Sequence, residues 1–288
     1  MLRIALKNVL ARKGRLLLSS LAVIAGCAFL SGVFVFSDTI RDSIDRTFAT
    51  AYENTDAYVR SAFVIESDFG EASRGRISDS LIEGIQSIPG IAEVEGDVQS
   101  FARISTSDGD EIGFDGPPKF GGVYTGSEIS PWDLDEGAVP HGPGEVVIDK
   151  QSAKTGDVAV GDTVTITATG EPRDFTVVGI VTFGGADSTG GPTWALFDLA
   201  TAEEFVIGIP GTVDSILIRG DGSRSEAELQ ADIQTLFEPD EIEVLTGQEI
   251  IAESQSDLAE DFGFFATFLT VFAGIALFVG SFIIYNVF

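Results

Sequence analysis

The sequence predicts an α+β membrane protein: two transmembrane helices, each continued outside the membrane as a helical stalk, flanking an extracytoplasmic domain of strands and short helices. Three observations carry that prediction. Leu16–Phe36 is a run of 21 residues without a charge, and Phe262–Phe288 is a second run of 27. Of the 17 Lys and Arg, five stand in the first 15 residues, where there is no acid, whereas all 45 Asp and Glu fall between Asp38 and Asp261. Between the runs, β-branched segments alternate with helical ones, punctuated by Gly and Pro.

The first 15 residues place Leu2, Leu6 and Val9 on one side of a helix with Arg3 and Lys7 beside them. That pattern predicts a short amphipathic helix at the cytoplasmic lipid surface, with Arg12, Lys13 and Arg15 completing an interfacial basic set. A hydrocarbon core of about 30 Å needs roughly 20 apolar residues of helix, which 16–36 supplies. Ile24-Ala25-Gly26-Cys27 reads like a lipoprotein cleavage box. The apolar residues that follow it, through Phe36, make the run longer than the roughly 7–15 residues of a signal region. A surface lipoprotein anchored at Cys27 is the alternative for this segment.

Basic flanks stay cytoplasmic, so the N-terminus is inside and 37–261 outside. This outer segment carries 12 basic against 45 acidic side chains, a net charge of −33. A surface of that sign repels phosphate, which excludes a nucleic-acid partner. The single cysteine lies in the first apolar run, so no disulfide is expected to hold the outer domain. Its 225 residues are ample for a core of their own.

After Phe36 the helical pattern continues. Ile40, Ile44, Phe48 and Tyr52 recur every four residues among Asp38, Arg41, Asp42, Asp45 and Arg46, one apolar stripe on a charged helix. A continuous helix from Leu16 to Glu53 is roughly 57 Å long, well beyond a bilayer. At the other end, Thr246-Gly-Gln-Glu249 fits a capping box. From there Ile251, Leu258, Phe262 and Phe265 keep helical spacing into the second run, with no Pro after residue 240. Packing of Ile40, Ile44, Phe48 and Tyr52 against Ile251 and Leu258 is therefore expected between the stalks.

Between the stalks, strands are expected at Ala57–Ile65, Ile91–Thr106 (whole or broken), Pro192–Phe197, Val213–Arg219 and Ile242–Leu245. Helices are expected at Asp79–Ile88, after a cap at Thr201–Glu204, and after the Ser225-Glu-Ala-Glu228 box. The stretch 108–191 holds most of the Gly/Pro punctuation and no helical pattern, which predicts an inserted β-rich subdomain. Its strands are Glu145–Ile148, Thr163–Thr169 and Phe175–Thr182, the last two a hairpin turning at Gly170-Glu171-Pro172.

Catalytic motifs are missing. His141 is the single histidine, in a Gly-Pro loop, without a second soft ligand beside it. There is no GxSxG and no GxxxxGK[ST]. Asp108, Asp110, Glu111 and Asp115 cluster but lack the spacing and terminal Glu of an EF-hand. Neither a cofactor nor a metal is expected, and the chain is not expected to be an enzyme by itself.

Small residues recur at a spacing of four in both apolar runs: Ala22/Gly26 and Ala28/Gly32 in the first, Ala266/Thr270/Gly274 in the second, with Gly280 beyond. That spacing lets membrane helices approach closely. The second run stops without a basic flank, so the chain is expected to be the front part of a longer protein, with 262–288 a truncated span. A two-span membrane sensor with a ligand-binding outer domain shares these features and is the alternative reading.

The opening "ALKNVLARKGRLLLSSLAVIAGCAFLSGVFVFSDTI" resembles the start of FtsX/MacB-type ABC transporter permeases. So do "IQSIPGIAEVEG", "GEVVIDKQSAKTGDVAVGDTVTI", the "FTVVGIV" strand and "FVGSFIIYNVF", in the family's order. The resemblance implies a split, porter-like α/β subdomain carrying the β-rich insertion. It implies a separate cytoplasmic ABC ATPase as partner and a homodimer, or a pseudo-dimer with a second permease half. It implies a function in which ATP hydrolysis moves the spans and the stalks pass that movement outward, for export or for control of another protein. The family's basic coupling segment is expected after the second span, beyond Phe288.

Overall fold

The computed structural model describes residues 13–66, 72–114 and 116–287. The predicted interfacial residues Arg3, Lys7 and Arg12 lie outside the described residues; Lys13 and Arg15 fall in the first turn of α1 (Lys13–Ala51). The chain divides into two units, one comprising Met1–Arg46 with Glu253–Phe288 and the other Thr47–Ala252.

The first unit is helical. It holds most of α1, which runs unbroken for 39 residues, and most of the 41-residue α6 (Gly247–Val287). Among the described residues, Ile24–Ala51 is long and apolar enough to cross a membrane, and Thr267–Phe282 is a shorter apolar stretch. Val33 and Ala273 are buried in this unit, at 6% and 1% exposure. Gln255 Nε2 donates to the Asp45 carbonyl at 3.1 Å, tying one helix to the other.

The second unit is built on two larger sheets. The four-stranded sheet has the order β16-β1-β15-β5, from β1 (Ala57–Ser61), β5 (Ile91–Asp97), β15 (Ser215–Gly220) and β16 (Ile242–Thr246), all antiparallel. Alternation sorts its residues by face. Ala57, Val59, Ile216, Ile218 and Val244 point to the apolar side, where Ile85 of α2 (Leu81–Gln86) and Leu229 and Ile233 of α5 (Glu226–Gln234) complete the core. Tyr58, Arg60, Glu93, Glu95, Asp97, Ser215, Arg219 and Glu243 occupy the opposite, polar face. Two cross-strand ion pairs lie on it, Arg60 with Glu243 at 2.8 Å and Arg219 with Glu93 at 3.3 Å.

The second sheet takes its strands from between those of the first. Its order is β6-β8-β13-β10-β12-β11-β7, with β9 paired to β12. The strands are β6 (Ser100–Phe101), β7 (Arg103–Thr106), β8 (Lys119–Val123), β9 (Trp132–Gly137), β10 (Glu145–Asp149), β11 (Thr163–Thr167), β12 (Arg173–Phe183) and β13 (Thr193–Phe197). The terminal strands β6 and β7 are consecutive in the chain, joined by the fully buried Ala102, so the sheet curls toward closure. Phe175, Phe197 and Phe205 stack within it at 4.9–5.8 Å between ring centroids.

The predicted hairpin forms, with Thr163 opposite Thr176 and Ile166 opposite Arg173. Four expectations are corrected. The stretch read as free of helix holds α3 (Lys150–Gly156), because Asp149 caps it by accepting from Ser152 N at 3.0 Å. The Thr201 cap is displaced: Asp198 starts the helix one turn earlier, α4 (Leu199–Thr201), accepting from Thr201 N at 3.0 Å, and a π-helical stretch follows over Ala202–Ile207. Ala57–Ile65 breaks after Ser61, and β2 (Val64–Glu66) pairs instead with β3 (Ala72–Arg74). Val213–Arg219 is likewise split: β14 (Thr212–Val213) pairs with β4 (Ile77–Ser78), leaving Asp214 between strands.

Where α1 ends and α6 begins, both are held by the second unit. The strand after α1 and the strand before α6 are direct partners, with Ala57 opposite Thr246. Gly247 N donates to the Asp56 carbonyl at 3.1 Å, and Asp56 Oδ2 accepts from Gly220 N at 2.6 Å. Gly247 is required by space: a Cβ there would lie 1.8 Å from the Thr55 carbonyl oxygen, which is backbone and cannot swing away. The predicted box at Thr246 is present, with Glu249 N on Thr246 Oγ1 at 3.1 Å and Thr246 N on Glu249 Oε2 at 2.9 Å. On the α1 side, Asn54 Nδ2 donates to the Glu128 carbonyl at 2.8 Å, and Ala51 packs on the Trp132–Phe183 cluster.

Candidate functional site

The polar face of the four-stranded sheet floors a cleft of about 980 Å³. Tyr58 and Arg60 project into it because they share a face of β1, while Ala57 and Val59 on the other face are fully buried in the core. The second sheet supplies the opposite wall through Phe101 and the start of β8, with Pro117, Pro118 and Phe120.

Among the described residues four basic side chains line the cleft, Arg60, Arg74, Arg76 and Lys119, against two carboxylates, Asp97 and Asp214. Arg60, only 6% exposed, and Arg74 both reach Glu243 Oε2, at 2.8 and 3.0 Å. Arg76 Nε pairs with Asp214 Oδ1 at 2.8 Å, and the other Asp214 oxygen accepts from Gln99 N at 2.8 Å. Lys119 pairs with Glu111. Burial pushes the Asp97 carboxyl up to about 7, and the neighbouring Asp214 and Glu95 carboxylates push the same way. Burial likewise pushes the Tyr58 phenol up to about 12.

This arrangement sets paired basic and acidic side chains beside aromatic and proline walls, with the buried Asp97 carboxyl held toward its neutral form. Its lining includes no His or Cys among the described residues. Among the described residues no group of three or more His, Cys, Asp or Glu could hold a metal ion. Of the predicted acidic cluster, Glu111 turns to Lys119 and Arg103, and Asp115 lies outside the described residues. His141 is exposed in its loop, its N–H donating to Glu145 Oε2 at 2.8 Å.

The predicted stalk residues fall in both units. Ile40 and Ile44 are half-buried in the helical unit. Phe48, Tyr52 and Ile251 are half-buried in the second unit, where Tyr52 meets Tyr58 edge-on at 5.7 Å and lines the cleft. The side chain of Leu258 lies outside the described residues. Gly26 is half-buried, whereas a Cβ on Gly32, Gly274 or Gly280 would meet no described atom within 4 Å. The close approach that the last three allow is therefore not made among the described residues of this chain.

Sequence reasoning missed the cleft. One signal was readable: with 12 basic residues in the outer segment, three of them, Arg60, Arg74 and Arg76, fall within 17 positions.

Comparison with known proteins agrees with this fold. The MacB-like periplasmic core domain family matches residues 16–236. Among solved structures, the periplasmic region of MacB from Actinobacillus actinomycetemcomitans is similar at 14% identity and a TM-score of 0.51, covering 70% of this chain and 92% of that one. The extracellular domain of the noncanonic ABC-type transporter YknZ from Gram-positive bacteria gives 12% identity and a TM-score of 0.45, covering 67% and 100%. No curated protein matches the chain. With a family match over most of its length and a mixed α/β fold like that of the MacB periplasmic region, the chain belongs to the MacB-like periplasmic core domain family.

Proposed function

We propose that the chain is the permease subunit, or its N-terminal part, of an FtsX/MacB-type ABC transporter complex, in which ATP hydrolysis by a separate cytoplasmic ATPase moves an extracytoplasmic domain. The observation that carries this reading is the junction of two unbroken helices with two directly paired strands, β1 and β16, of a MacB-like core. A helix transmits displacement along its axis because its hydrogen bonds run along that axis. Both helices here are fixed to neighbouring strands, so movement of either loads the same sheet.

In this reading 16–36 and 262–288 are spans, 37–261 is extracytoplasmic with a porter-like part and a β-rich insertion at about 108–191, and 1–15 lies on the inner leaflet. The five basic residues Arg3, Lys7, Arg12, Lys13 and Arg15 support that orientation by the positive-inside rule. The glycine faces at Gly32, Gly274 and Gly280 are left for a second permease copy or half.

The test is affinity purification of the tagged full-length protein from membranes of its own host, with mass-spectrometric identification of what accompanies it. An ABC ATPase in stoichiometric amount is expected. A signalling kinase in its place, or no ATPase, would overturn the reading in favour of a two-span sensor.

A further inference from the structure

The two edges of the four-stranded sheet are treated differently. An edge strand turns alternate N–H and C=O groups away from its neighbour, where they can pair with another chain unless something covers them. At β16 the glutamines of α5 cover them. Gln230 Nε2 donates to the Val244 carbonyl at 2.9 Å, Gln234 Nε2 donates to the Ile242 carbonyl at 3.2 Å, and Val244 N donates to Gln234 Oε1 at 3.2 Å. β5, at the other edge, has no such cover. Gln86 Nε2 reaches the Ala92 carbonyl at 3.4 Å, and among the described residues β5 pairs with β15 alone. Space lies along this edge: residues 92–96 line a groove of about 510 Å³ together with Ile82 and Leu199 on the apolar side and Thr125 and Ser127 on the polar side.

The groove carries uncompensated negative charge. One guanidinium, Arg219, serves both Glu93 at 3.3 Å and Glu128 at 2.8 Å. Glu95 meets hydroxyls, accepting from Thr125 Oγ1 at 2.9 Å and from Ser127 Oγ, and pairs with no cation among the described residues. Burial, with the Glu93 charge adding to it, raises the Glu95 carboxyl above its ordinary range, a cost that an arriving cation relieves. The same charge rejects a second copy of this chain. Two β5 strands paired about Val94 would set Glu93 of one opposite Glu95 of the other, and like charges directly opposite are destabilising.

We propose that the β5 edge takes an extended segment of a partner protein as an additional strand, with basic side chains toward Glu93 and Glu95 and apolar ones toward Ile82 and Leu199. In strand addition the backbone hydrogen bonds give affinity and the alternate side chains give specificity. The net charge of −33 on the outer segment draws a cationic segment from a distance. Binding requires neither the ATPase nor a second permease half, so it stands or falls apart from that reading.

The test uses the full chain in phosphatidylcholine nanodiscs and the fluorescein-labelled peptide amide Lys-Val-Lys-Val-Lys-Val-Lys in an anisotropy titration, with empty nanodiscs as the blank. Saturable binding at physiological salt is expected. The same peptide N-methylated at every residue keeps all its side chains but has no backbone donor, and it should not bind. Glu95→Gln keeps an acceptor for Thr125 and Ser127 while removing the charge, and it should weaken binding roughly 10-fold, the scale of a lost charge-assisted hydrogen bond. Peptide should also slow amide hydrogen exchange across 91–97 more than across the covered edge at 242–246. Equal binding of the N-methylated peptide, unchanged affinity in Glu95→Gln, or unchanged exchange across 91–97 would overturn the proposal. Protection of 91–97 that grows with the concentration of the chain alone would also overturn it, by assigning the edge to a second copy.

Discussion

Asp97 ends β5 on the polar face of the four-stranded sheet, beside Asp214, Glu95 and the Arg76 guanidinium that Asp214 holds. Its carboxyl is raised from 3.8 to about 7, chiefly by burial. Between those values the folded chain binds more protons at this site than the unfolded chain does. The stabilising contribution of the neutral acid is therefore complete at acidic pH and lost as pH rises through about 7. Asp97→Asn removes that loss while keeping an acceptor for the Val98 N–H. The thermal midpoint of the variant should exceed that of the parent by more at pH 8 than at pH 5. An equal difference at both would show that Asp97 carries no buried charge. Gly247 makes a different demand, for space rather than charge. Gly247→Ala forces a methyl against the Thr55 carbonyl and should cost about 1–3 kcal/mol in urea denaturation, the usual range for overpacking.

In the second unit the cap of α5 was readable, whereas the Asp149 cap of α3 was not, the cap of α4 falls at Asp198 instead of the expected Thr201, and Ser80 before α2 makes no side-chain cap. Ser225 accepts from Glu228 N while Glu228 accepts from Ser225 N at 2.9 Å, the reciprocal box its sequence predicts for α5. Ser225→Ala should lower stability by about 1 kcal/mol, checked in the same denaturation assay. The long helices were readable for the same reason, from period and caps. What the sequence concealed was strands without alternation. Lys119–Val123 contains two glycines, and Trp132–Gly137 is acidic at three of six positions, so neither shows a hydrophobic face; they become strands only by pairing with β13 and β12. The cleft was concealed more deeply. Its residues come from β1, β2, β3, β5, β6, β8 and the segment leading into β15, among others, and local pattern does not report which strands pair.

At the scale of the whole molecule, the proposed transmission requires two helices and one sheet to act together. If Gly32, Gly274 and Gly280 face a second permease copy or half, Gly274→Leu should reduce self-association by cross-linking or light scattering while membrane insertion is unchanged. The stalk makes the sharper demand. α1 is unbroken through Ser43, which lies within the turn spanned by the Asp42–Arg46 pair and after the Thr39 Oγ1 hydrogen bond to the Val35 carbonyl, and Gln255 of α6 contacts it at Asp45. A proline inside it removes a backbone hydrogen bond, clashes with the preceding turn and costs about 3 kcal/mol or more, which kinks the rod. The decisive measurement is therefore made on Ser43→Pro in the complex with the proposed ATPase: hydrolysis rate together with the nucleotide-driven change in spin-label distance between the outer domains of the proposed dimer. Hydrolysis close to the parent rate with the distance change abolished is the predicted result. A full distance change in Ser43→Pro would contradict transmission through the stalk and leave α1 as an anchor.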